Sequence, residues 1–165
     1  MIRKRKDWRL VREGYMWHFA CETLSEMEKT YCVYNLTRES FLSLNVKAAD
    51  TILMRLKGLI GRLRLRSDEG IWVVPSQGVH TLGLFFPLDL IYLDEQNRVI
   101  HLVEAIPSFR IGPIKTQAGS VLELPTHTIY STNTQIGDQM LICVAEEMSE
   151  HLAPVKEAHH SARRE

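Results

Sequence analysis

The chain has 165 residues, with 20 Lys and Arg against 20 Asp and Glu, seven His and a formal net charge of zero. Its 45% hydrophobic and 24% charged content is ordinary globular usage and excludes a disordered, collagenous or coiled-coil chain. This length suits one domain that buries roughly two-thirds of its unfolded surface, and a neutral chain has no bulk attraction for nucleic acid or an anionic membrane.

Three zones follow along the chain. Residues 1–30 form a basic, aromatic-dotted N-terminal extension with Trp8, Tyr15, Trp17 and Phe19. Residues 31–144 are densely apolar, and residues 145–165 form a polar C-terminal tail that reads as frayed. In the central zone, residues 31–35 and 41–46 flank a polar connection and predict a hairpin. A helix is expected over 49–61: Asp50 can cap it, Gly61 can end it, and Ile52, Leu53, Leu56, Leu59, Ile60 and Leu63 fall on one stripe. Residues 71–74 read as a short strand closed by Pro75. Residues 88–93 and 99–103 predict a second hairpin, and 120–124 and 139–144 two further strands. Turn signals at short intervals beside a single helix make the fold mainly β (α+β), a compact β-sandwich or barrel with one packed helix.

Compartment is read from what the sequence lacks. Cys21, Cys32 and Cys143 match no zinc or redox spacing and read as small buried residues in a reducing cytosol. The basic start is followed by no apolar signal region, and the stretch from Leu82 to Leu93 is interrupted by Asp89 and too short to span a bilayer. A soluble, cytoplasmic protein with no membrane partner is the expectation.

The informative residues are charges inside apolar runs. In Leu88-Asp-Leu-Ile-Tyr-Leu93, alternation places Asp89 with Ile91 and Leu93, while the other face carries Leu88, Leu90 and Tyr92, so both sides look covered. Glu123 stands similarly within Val121-Leu-Glu-Leu124. A buried carboxylate left alone costs several kcal/mol, so cations or donors are required nearby. Arg55 and Arg62, on the border of the helical stripe beside Gly58, and Arg110, in a loop after Pro107, are candidates. His80 enters an otherwise apolar segment and titrates near neutrality.

Two readings compete for this set. One is a structural network of ion pairs and hydrogen bonds. The other is a polar pocket lined by Arg55, His80, Asp89, Glu123 and Arg110 that binds a small polar or anionic ligand. A hydrolase triad of Ser76 or Ser120 with His80 and Asp89 lacks a nucleophile elbow. A metal site from His80, Asp89 and Glu123 lacks paired ligand spacing, and no phosphate-cradling glycine loop is present, so no metal or cofactor is expected. Residues 1–12 and 55–66 each carry a net +5. They read as a frayed arm and a solvated face, or as contacts for an acidic partner or nucleic acid, which would make the chain an accessory interaction module.

One family carries the same motifs in the same order. Tyr34-Asn-Leu-Thr-Arg38, Ala49-Asp-Thr51, Arg55-Leu-Lys-Gly-Leu-Ile-Gly-Arg62, Glu69-Gly-Ile-Trp-Val-Val-Pro75, Gly78-Val-His-Thr81, Phe86-Pro-Leu-Asp89, Tyr92-Leu-Asp94, Ser120-Val-Leu-Glu-Leu-Pro125 and Gly137-Asp138 resemble the uncharacterised domain-of-unknown-function family 192 (DUF192, UPF0127). The resemblance spans about residues 31–144 and implies a small, mainly β domain with a helix and no assigned activity. It also implies departures in this chain: Ser76 stands where the family often has cysteine, Leu84 where it has methionine, and Thr126-His127 where it has Ala-Gly. A thiol mechanism at position 76 is therefore not expected. Many members carry a secretion signal or membrane anchor, and this chain shows neither.

Overall fold

The computed structural model describes residues 29–49, 59, 63–148 and 150–151. Seven strands dominate: β1 (Thr30–Asn35), β2 (Ser40–Ala49), β3 (Glu69–Val73), β4 (Leu88–Leu93), β5 (Val99–Ile106), β6 (Ser120–Pro125) and β7 (Met140–Val144), with the short helix α1 (Thr128–Ser131) between the last two. They form one sheet in the order β5-β4-β6-β3-β2-β1-β7, curled into a half-barrel. The mainly β reading therefore holds.

Pairing is antiparallel throughout except between β2 and β3, where Asn45 to Ala49 run parallel to Glu69 to Val73. The two edge strands meet at one end. There Arg98 bridges Gln139, and backbone bonds join Val99 to Asp138 and Gly137, and Asn97 to Met140, at 2.8–3.0 Å. This seam covers the end of the exposed edge that each strand would otherwise present.

The sheet has two covered faces, which is why β4 is buried at all six positions. Inside the curl, Val33, Leu42, Val46, Ile91, Leu93, Leu122, Leu124 and Met140 pack with Ile129 of α1. On the other face, Ile71, Leu88, Leu90, Tyr92 and Val121 pack against Val79, Leu84, Phe86 and Ala118 from loops. Leu59 also packs on this face, helical and 1% exposed.

Sequence-based boundaries shift in two informative places. Ala49 is not the first residue of a helix. It ends β2 and pairs with Val73, because β3 lies alongside and satisfies its backbone. The rest of the 49–61 segment, apart from Leu59, lies outside the described residues. The second predicted hairpin is longer than expected, since β5 runs on to Ile106 through a bulge opposite Asp89. After β7 the backbone turns helical over 145–148, and Met148 is buried beside Cys143.

Candidate functional site

Of the five residues singled out from the sequence four are described, and Asp89 stands apart from the other three. Asp89 faces the inside of the curl. It pairs with Leu124, while the neighbouring Leu90 pairs with Glu123, so strand alternation sends the two carboxylates to opposite faces. Asp89 is 1% exposed and Glu123 is 0% exposed. Arg55 lies outside the described residues. His80 and Arg110 lie together, on two loops that cover the outer face of the sheet.

The geometry of Asp89 defines its work. Its Oδ1 accepts the N–H of Ala105 at 2.9 Å and its Oδ2 accepts the N–H of Ile129 at 3.0 Å. The first bond stabilises the β5 bulge, where Ala105 takes a left-handed φ of 48°. The second satisfies one of the N–H groups that the first turn of α1 leaves without an intrahelical partner. Both carboxylate oxygens are held by backbone donors rather than by His80. The imagined triad is also broken at Ser76, whose hydroxyl donates to the Gly78 carbonyl at 2.7 Å. Among the described residues, no three His, Cys, Asp or Glu side chains are placed to hold a metal ion.

A third buried carboxylate escaped the sequence reading. Asp138, 2% exposed, accepts Asn35 Nδ2 at 2.9 Å, Arg38 Nε at 3.1 Å and the Gln135 N–H at 2.8 Å. Burial pushes its carboxyl up, but the hydrogen bonds from Arg38, Asn35 and Gln135 and the charge of Arg38 outweigh that and hold it below the usual range. Asn35 Oδ1 in turn accepts the N–H groups of Thr37 and Arg38, each at 3.0 Å, in an Asx turn. This network ties the β1–β2 turn to the loop before β7.

The loop layer is built differently. Residues 76–81 and 110–119 run side by side, joined through Ser76 to Gly119, Gln77 to Lys115 and Val79 to Gly112 at 2.7–2.9 Å. Thr81, fully buried, locks the far end. Its hydroxyl donates to the Pro107 carbonyl at 2.7 Å and accepts the Arg110 N–H at 2.8 Å, and its backbone bonds Arg110 and Phe109. Tyr92 pins the layer to the sheet by donating to the Pro113 carbonyl at 2.8 Å. Gly112 makes this approach possible, since a Cβ there would lie 3.0 Å from both the Tyr92 hydroxyl and the Val79 carbonyl.

Upon this rigid base stand large apolar side chains in water: Leu82, Phe85, Phe109, Ile111 and Ile114 are 46–76% exposed. The Phe85 and Phe109 rings meet edge to face at 5.4 Å. Phe109 has a left-handed φ of 57°, a conformation that bulky residues rarely adopt. His80 pairs with Ile111 in the same layer. Across residues 76–87 and 107–118 the charged side chains are Arg110 and Lys115, with no Asp or Glu.

The DUF192 family model, described as an uncharacterized ACR, matches residues 34–142. The chain belongs to the DUF192 family. A UPF0127 protein of Thermococcus sibiricus is 29% identical over 127 residues, covering 74% of this chain and 81% of that protein. Among solved structures, a protein of unknown function from Novosphingobium aromaticivorans is similar, with a TM-score of 0.57 and 20% identity over 68% of this chain and 83% of that one. A protein of Sinorhizobium meliloti named as a candidate transcription regulator gives 0.55 and 21%, over 68% and 92%. At these identities the two structures show a shared fold and nothing of activity. No helix among the described residues is long and apolar enough to cross a membrane.

Proposed function

We propose that this DUF192 domain is a binding module, without catalysis of its own, that takes a small anionic ligand with an apolar part on the loop layer formed by residues 76–87 and 107–115. The observation that carries this reading is Phe109. The residue is 53% exposed and its backbone is left-handed, so the fold pays a conformational cost to hold an apolar residue at the surface. Its ring meets Phe85 and otherwise faces water, whereas glycine or asparagine would relieve the strain.

Charge decides the class of ligand. Arg110 and Lys115, with no acid in either loop, favour a carboxylate, phosphate or sulfonate, and Arg suits planar bidentate capture. Phe85, Phe109 and Ile111 would receive the apolar portion. Of the residues proposed from the sequence, His80 and Arg110 belong to this surface. Asp89 acts from beneath it, holding Ala105 four residues before Phe109. The reading includes a cytoplasmic setting, supported by an odd number of cysteines at spacings that match no disulfide framework.

Titrating the isotope-labelled full chain with dodecyl phosphate tests the site. Amide shifts should be confined to residues 78–85 and 108–115, weaken with dodecanol, and vanish in Arg110→Ser/Phe109→Ser. Shifts centred on the β1–β2 turn, or none at all in the two loops, would overturn the proposal.

A further inference from the structure

The β1–β7 pair sets two cysteines directly opposite one another. Cys32 and Cys143 are register partners in this antiparallel ladder. Leu36 N–H donates to the Gln139 carbonyl in the same register, so alternation makes 34/141 and 32/143 the hydrogen-bonded pairs. Such pairs have Cα atoms about 5.5 Å apart and side chains on the same face, within the Cα range of about 4.4–6.8 Å that a disulfide needs. Both side chains are buried, 5% and 6% exposed, in one cluster with Tyr34 and Met148. Cys143 contacts Met148 Sδ at 4.0 Å, and Cys32 contacts the Leu44 carbonyl at 3.5 Å.

We infer that Cys32 and Cys143 are a redox modification site, which closes reversibly to a disulfide that staples β7 to β1. The oxidant is a low-molecular-weight disulfide of the glutathione class. One cysteine thiolate attacks it, forming a mixed disulfide and releasing one small thiol. The second cysteine thiolate then attacks the protein sulfur of that mixed disulfide and releases the second small thiol. The protein dithiol loses two electrons and the small disulfide gains them, and the two thiol protons leave on the released thiols. Burial pushes both thiols up from their ordinary range, so the reduced pair persists at neutral pH and reacts slowly.

The consequence of closure is local. Opposed Cβ atoms in a ladder lie about 4.5–5.5 Å apart, and a disulfide wants about 3.8 Å, so closing the bond draws the strands together and leaves it reducible. The edge strand β7 and the helical residues 145–148 behind it would be fixed against β1.

The test uses the full chain carrying Cys21→Ser, equilibrated in glutathione buffers of rising oxidised fraction. Peptide mapping should find a Cys32–Cys143 link, reversed by dithiothreitol, and the oxidised form should melt about 5 °C higher. The link should form at least ten-fold more readily in native protein than in the guanidinium-unfolded chain. Thiols that stay unlinked in the most oxidising buffer, or a link no more favourable in the native than in the unfolded protein, would overturn the inference. The result is independent of ligand binding on the loop layer.

Discussion

The seam end of the barrel and the loop layer on its outer face spend side chains in opposite ways. At the seam, Asp138 is saturated by Asn35, Arg38 and Gln135, and deeper in the curl Asp89 is saturated by Ala105 and Ile129. On the loop layer backbone bonds tie the two loops together, yet Phe85, Phe109 and Ile111 stand in water. Buried charges with every oxygen engaged specify a fold. A surface whose scaffold is rigid and whose apolar side chains lack cover is suited to contact with something else. The contrast moves the candidate site from the carboxylates to the aromatics.

The largest expected effect lies at the seam. Asp138→Asn should destabilise the protein by about 3 kcal/mol in urea unfolding, since Arg38 would lose its partner inside a largely buried network. Dodecyl phosphate binding should be unchanged. Asp89→Asn comes next, at about 2 kcal/mol, because an amide can accept only one of the two backbone N–H bonds that the carboxylate now takes. If it costs nothing, the claim that Asp89 is saturated for structural reasons is wrong.

His127→Gly should act in the other direction. His127 precedes α1 with a left-handed φ of 71°. Glycine, which the family often has at this position, should raise stability by about 1 kcal/mol in the same assay. Acid provides the smallest effect. Burial, with help from Lys115, lowers the His101 pKa below 6.5, so its neutral form is favoured in the folded state. Stability should therefore fall as pH drops from about 6.5 through its native value, and His101→Gln should flatten that part of the profile. The depressed carboxyl of Asp138 contributes fully above 3.8, and its contribution is lost as pH falls through the lower native value. Its loss should thus come at lower pH and survive in His101→Gln.

Much of the fold was legible because its signals are local. Alternation and flanking turns placed all seven strands within a few residues, and the continuous apolar run of β4 announced a strand covered on both faces. The end of β2 was misread, because a parallel partner arriving from Glu69–Val73 is a tertiary fact that no local pattern carries. The short α1 was missed for a similar reason: one of its exposed N–H groups is satisfied by Asp89, forty residues away.

The site was harder to read. Asp89 and Glu123 were correctly placed inside apolar strands, but facing direction depends on register, and register set them on opposite faces. The Asp138 network joins residues about a hundred positions apart. Its signal was the recurrence of Asn35, Arg38 and Asp138 within family-like motif blocks. Phe109 gave no sequence signal at all, since its left-handed backbone follows from the bonds Thr81 makes to Pro107, Phe109 and Arg110.

The central claim is that strain at Phe109 is kept for contact rather than for folding, and Phe109→Gly tests it in one protein. Unfolding in urea and titration with dodecyl phosphate should show stability rising by about 1 kcal/mol while binding weakens at least ten-fold. A variant that loses stability, or that gains it and binds as tightly as before, would contradict the account.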